Sequence, residues 1–269
     1  MKRISFPVLI GIAAALAVFA AGSAHAHNLW LNPQDYSPEA GDTVEIGIGW
    51  GHHYTEDRTH QEVKDSTVHE ISAITPDGIK IDLAKKSAAS YELVTSKPGA
   101  YLVTARIAPV MFTTTPEGRK RGSRKDVEKP VKCTAYSILA KTVITAGGDD
   151  KNLESQTGQK LEIIPLKNPA ELEKAHTFPV RVLFDNKPIS GVALKANYAG
   201  FEEKDASAHG HGHGHGAAAE AITDDSGEAE ISFEKEGHWI ILLSHQTPYR
   251  GGDACDQFLY KSAFTLEVK

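Results

Sequence analysis

Catalytic fingerprints are missing from this chain of 269 residues. It has no G-x-S-x-G elbow, no phosphate-binding P-loop, no HExxH helix and no glycine-rich dinucleotide turn, and its acidic residues follow no spacing that reads as a catalytic pair. Cysteine is scarce, with Cys133 and Cys255 the whole complement. In an oxidising compartment such a pair is expected to form a disulfide. Closing a loop of about 120 residues contributes on the order of 4 to 5 kcal/mol in the chain-entropy model. A pair of soft metal ligands is the alternative, although neither cysteine has a CxxC neighbour. After residue 26 no apolar run is long enough to span a membrane. Positive charge is in deficit as well. Without Lys2 and Arg3 the chain carries 27 basic against 35 acidic residues, a net charge of −8 that argues against nucleic acid and is compatible with collecting cations.

What the chain has instead is histidine, 13 in all. The run His209-Gly210-His211-Gly212-His213-Gly214-His215-Gly216 puts four imidazoles at alternate positions, with nothing but glycine between them to hinder convergence. Neutral imidazole is a good ligand for first-row transition ions, and several on one flexible tract give affinity without geometric selectivity. The alternative is a solvated low-complexity loop.

Residues 1–26 read as a secretory signal: Lys2 and Arg3 form a basic start, Phe6 to Ala21 an apolar stretch, and Ala24-His25-Ala26 a small-x-small cleavage site. The mature protein is therefore expected to be exported, and with no cysteine near the cut it has no acceptor for a lipid anchor. Cleavage after Ala26 leaves His27 at the new terminus, with a free amine and an imidazole on one residue. Cleavage after Ala24 leaves His25-Ala26-His27, whose amine, amides and imidazole suit square-planar copper(II) or nickel(II).

Strand signals dominate the body: Thr43 to Gly49, Val68 to Thr75, Ile79 to Leu83, Tyr101 to Ile107 and Thr134 to Thr145 alternate or run apolar between turn residues. A single helical turn is predicted, at Pro169 to His176. The polar, glycine-rich stretch from Ala146 to about Gly158 breaks the rhythm. It predicts an all-β protein of two β-sandwich domains, 27–146 and 159–269, joined by a linker at 147–158; one elongated sandwich is the alternative. A phrase recurs in each half, Lys97-Pro98-Gly99-Ala100-Tyr101 and Lys235-Glu236-Gly237-His238-Trp239, as expected where a turn glycine feeds a buried strand with its aromatic in the core. In the second half Phe178 to Phe184, the turn Asp185-Asn186-Lys187-Pro188, Val192 to Tyr198, and Glu228 to Phe233 after Asp224-Asp225-Ser226-Gly227 resemble a small transthyretin-like or Cna-B-type sandwich, with the His-rich loop, 205–219, between two strands.

The start His27-Asn28-Leu29-Trp30-Leu31-Asn32-Pro33, Gly41-Asp42 before a strand, Cys133-Thr134-Ala135-Tyr136-Ser137 and the terminal β-module together resemble the DUF4198 family over essentially the whole mature chain. That family includes periplasmic components, sometimes called NikK, that accompany nickel and cobalt ECF-type uptake transporters. The resemblance implies a non-catalytic, metal-binding role in the periplasm.

Other candidates are weighed by context. His52-His53 follow Gly49-Trp50-Gly51. On a strand their side chains would face opposite ways, so one alone could join His27 unless the segment is a loop, as the glycines favour. His60 and His69 lie further on, and Glu56 and Asp57 can supply oxygen ligands. His238 and His245 flank the apolar run Trp239 to Leu243, too far apart to share an ion, with His238 at a turn the better candidate. Arg119-Lys120-Arg121 with Arg124-Lys125 is expected to be a solvated hairpin tip, and Trp30, Trp50 and Trp239 core aromatics.

The expected function is capture of Ni(II), with Co(II) the second choice and Cu(II) or Zn(II) possible, and delivery to a membrane nickel/cobalt transporter. The tract of His209, His211, His213 and His215 would collect the ion, and His27 with His52 or His53, and His238 as a further candidate, would retain it. Binding needs neutral imidazoles, so affinity is expected to fall below about pH 6.5. The rival readings are a copper-brace oxidative enzyme built on His27, a periplasmic metal buffer or efflux chaperone, and an adhesive module with an incidental His loop.

Overall fold

The computed structural model describes residues 27–54, 63–201 and 216–269. Strands make up nearly all its regular structure. The described helical turns are two short 3-10 pieces, Pro169–Glu171 and Gly252–Ala254. The first lies where the sequence predicts a turn but is shorter, because Asn168 caps it through the Ala170 N–H and the chain is already extended at Leu172. Among the described residues no helix is long and apolar enough to cross a membrane.

A ten-stranded sheet runs through the molecule. Its spine is Lys132–Ala146, which pairs antiparallel with Gly99–Arg106 on one edge and parallel with Gln257–Val268 on the other. Glu70–Ile74 and Lys80–Asp82 extend it beyond Gly99–Arg106; Gly237–Pro248, Ala193–Tyr198 and Ala219–Ile222 extend it beyond Gln257–Val268. The hairpin Val110–Thr115 and Gly118–Arg121 joins the start of the spine.

Two four-stranded sheets cover this middle sheet. The first orders Asn28–Pro33, Thr43–Gly51, Ser90–Val94 and Ala84–Ser87; the second joins Leu161–Pro165, Thr177–Phe184, Lys187–Pro188 and Glu228–Ser232. Successive side chains of a strand point to opposite faces, and the spine uses both. Ile138, Ala140 and Ile144 pack with Leu29, Leu31, Ile46 and Ile48 of the first cover. Leu139 and Val143 pack with Ile163, Phe178 and Val180 of the second. The covers therefore sit on opposite faces of one shared sheet. Burial on both sides explains why the spine reads as a continuous apolar run rather than an alternating one. Residues 147–158 connect the spine to the second cover, and Leu153 among them is buried in its core.

The recurring phrase has one structural meaning in both halves. Gly99 and Gly237 each open a strand with positive φ, 127° and 110°, and Tyr101 and Trp239 are each 1% exposed. Each aromatic also reaches back four residues: the Tyr101 hydroxyl donates to the Lys97 carbonyl, and the Trp239 indole N–H to the Lys235 carbonyl.

Candidate metal centre

The site grows from the pairing of Asn28–Pro33 with Thr43–Gly51, which sets Asn28 opposite Gly51 and Leu29 opposite Trp50. The ladder ends at Asn28 and Gly51, and His27 and His52 stand just beyond it on the two chains. Trp50 and His52, two residues apart, lie on one side, and the His27 ring stacks on both: its centroid is 4.4 Å from that of His52 and 5.0 Å from that of Trp50. Gly51, at φ 152°, releases the chain from the ladder, and His52 and His53 form a bend. The loop reading of the histidine pair thus holds, and both residues line one cavity of about 40 Å³, with Asn28, Trp30, Tyr54, Asn197 and Phe201 among its other walls; His27 is not one of them. Gly49 is required here by close approach, since a Cβ would fall 1.8 Å from Trp30 Nε1. Trp30 in turn meets Tyr54 edge-on, and the Tyr54 hydroxyl donates to Asn32 Oδ1 over 3.2 Å.

His27 is half-buried, while His52 and His53 are exposed. In the stack the imidazole lone pairs lie in two planes 28° apart. Shared ligation of one ion therefore needs a side-chain rotation, which exposure makes inexpensive. Beneath the pair, Lys261 Nζ donates to the His27 carbonyl over 3.4 Å, and burial pushes its ammonium down to about 8. On its other side His27 helps line a groove of about 470 Å³ with Trp50, Phe112, Arg119, Arg121 and Tyr136.

The remaining described candidates are dispersed. His209, His211, His213 and His215 lie outside the described residues, as do Glu56, Asp57 and His60. The flanks of the tract are described: Phe201 lines the cavity with His52 and His53, and the Gly200 N–H donates to the Tyr54 carbonyl over 3.0 Å. His238 is the second residue of Gly237–Pro248, with Nε2 3.9 Å from Glu267 Oε1 and its ring near Tyr36; it lines neither cavity. His245 lies within the same strand rather than at its end and on the opposite face, 4.6 Å from the Phe184 ring, where burial holds its imidazole below the usual value. Cys133 and Cys255 form a disulfide, which removes them as thiolate ligands. Among the described residues no group of three or more His, Cys, Asp or Glu is gathered to hold an ion.

Two expectations need correction. Trp30 and Trp239 are core residues, but Trp50 is half-buried and walls the site; the two-residue spacing of Trp50 and His52 was the available signal. The basic segment is solvated and lies in a hairpin as expected, but Arg119-Lys120-Arg121 belongs to its strand Gly118–Arg121 rather than its tip, while Arg124 and Lys125 pair with Asp256 and Asp253.

A family model described as "Domain of unknown function (DUF4198)" matches residues 24–247. No curated protein matches the chain. Similar solved structures include fibronectin(III)-like modules of CbhA from Clostridium thermocellum, at 13% identity over 89% of this chain and 94% of that one with a TM-score of 0.20. The D0-D1 domain of intimin follows at 12% identity, 89% and 99% coverage and a TM-score of 0.20. Murine CEACAM1b follows at 7%, 91% and 99%, and 0.22. Scores this low carry no argument, so the fold rests on the strand pairing itself. By the match over residues 24–247, the chain belongs to the DUF4198 family.

Proposed function

We propose that this chain is an exported, non-catalytic periplasmic protein that captures Ni(II), or Co(II) as second choice, and passes it to a membrane nickel/cobalt transporter. The observation that carries the reading is the stacking of the His27 ring on that of His52 at one end of the first cover sheet, with His52 and His53 lining a cavity beside Phe201, from which the chain runs on toward the His-Gly tract. Signal cleavage after Ala26 adds a free amine to His27, giving two nitrogen donors on one residue and imidazoles close by, a donor set suited to borderline ions. The tract collects ions, and the His27 pair retains them by ligand exchange.

Calorimetric titration of the mature protein tests this. The expected result is Ni(II) binding in two classes. His52→Ala removes the tighter class, and alanine at His209, His211, His213 and His215 removes the more numerous weaker one. A mature protein that binds none of nickel, cobalt, copper and zinc near neutrality would overturn it. The stack of an N-terminal histidine on a cross-strand histidine also favours a copper-brace enzyme as second reading, and ascorbate-driven oxygen consumption by the copper-loaded protein would select that reading instead.

A further inference from the structure

We propose that the groove beside His27 binds a small organic polycarboxylate, so that the metal ion is taken up as its chelate. The chelate part rests on the metal-binding reading above; the carboxylate part does not. At about 470 Å³ the groove falls within the usual size of small-molecule sites, roughly 300 to 1,000 Å³. Arg119 and Arg121 stand two residues apart on the strand Gly118–Arg121 and so share a face. The Arg119 guanidinium lies 4.1 Å from the Phe112 ring centre and 4.9 Å from that of Tyr136. Cation–π contacts of this kind hold the guanidinium in place without using its N–H groups, which can still grip a carboxylate in bidentate fashion.

Charge balance sharpens the argument. Arg106, Arg124 and Arg181 each face a carboxylate. Among the described residues neither Arg119 nor Arg121 has an ion-pair partner, although the chain is acidic overall, with a formal charge of −6. Two un-neutralised guanidiniums on the wall that His27 shares would repel a bare divalent cation. An anionic chelate reverses that sign: its carboxylates meet Arg119 and Arg121, its carbon skeleton lies on Val110 and Ile138, and its ion is turned toward His27.

Citrate serves as the probe, with inorganic phosphate as the competing anion. The mature protein and an Arg119→Gln/Arg121→Gln variant are titrated with citrate, phosphate, Ni(II) alone and equimolar Ni(II)–citrate. Both arginines are exposed, so an unchanged thermal midpoint in the variant confirms that it folds. The expected result is metal-free citrate binding that the double variant weakens by at least about tenfold while Ni(II) alone binds no more weakly than before, and more tightly to the extent that the guanidiniums repel it. Ni(II)–citrate should bind wild type more tightly than citrate does, and His52→Ala should abolish that increment while keeping citrate. Citrate that does not bind, that binds both proteins equally, or that binds no better than phosphate overturns the carboxylate site. Failure of Ni(II) alone with citrate binding intact sinks the metal reading, and the chelate with it, without touching the anion site.

Discussion

Lys141 and Glu162 meet at 2.6 Å with both side chains fully buried, joining the spine of the middle sheet to the second cover. Burial pulls the Lys141 ammonium below its usual value despite the carboxylate, and Thr157 secures Glu162 further by donating its N–H and hydroxyl. Desolvation of two charges is costly, so the pair adds little net stability, but removing one partner strands the other. Glu162→Ala is expected to cost about 3 to 5 kcal/mol in urea unfolding, and Lys141→Met/Glu162→Gln, which keeps an acceptor for Thr157, clearly less. Equal losses in the two variants would mean that packing, and not the stranded charge, sets the cost. This residue was not legible in the sequence: a lysine in an apolar run does not announce a partner that lies 21 positions away. Lys261, which donates to the His27 carbonyl, was no more legible for the same reason. The histidines were legible as types, but the stacking of His27 on His52 depends on the register of the two strands that end beside them, and a slip of one residue would send them to opposite faces.

At the level of elements, sequence pattern succeeded where a strand buries a face. Asp185 and Asn186 adopt φ of 54° and 61° between the paired residues Phe184 and Lys187, the two-residue turn that such residues favour. It failed for Ala84–Ser87 and Gly118–Arg121, whose residues are all exposed and therefore carry no hydrophobic alternation. Those strands form because a neighbour completes their hydrogen bonds. Polar pairs also fasten strands. Glu70, opposite Arg106 and close to Lys80, is lowered from 4.5 to about 2, chiefly by hydrogen bonds from Lys80 and Arg106. Because its folded value lies below its ordinary one, its contribution is complete above 4.5 and is lost as pH falls toward 2. The side chain is 38% exposed, so solvent screening keeps the effect small. Urea midpoints of wild type should fall more than those of Glu70→Gln between about pH 5 and about pH 2, and parallel curves would show that the cluster contributes nothing.

For the molecule as a whole, the least legible feature is the parallel pairing of Lys132–Ala146 with Gln257–Val268, which runs from Thr134 opposite Gln257 to Thr142 opposite Thr265. No local signal encodes a partnership between such distant segments, and two recurring phrases naturally suggest two self-contained sandwiches. The Cys133–Cys255 disulfide sits at the start of this pairing, with Asp256 Oδ2 accepting from the Cys133 N–H over 2.7 Å, and so fixes its register. The Thr265 hydroxyl donates to the Leu31 carbonyl in the first cover, tying the last strand to the first. If either half unfolded alone, the other would expose one face of the spine and an unpaired strand edge. The chain is therefore expected to unfold in one cooperative transition with matching calorimetric and van 't Hoff enthalpies. Reducing the disulfide should lower the midpoint without splitting it, since the lost constraint acts on the unfolded chain as a unit. Two resolved transitions, one of them indifferent to reductant, would instead mean that each half is stable without the sheet they share.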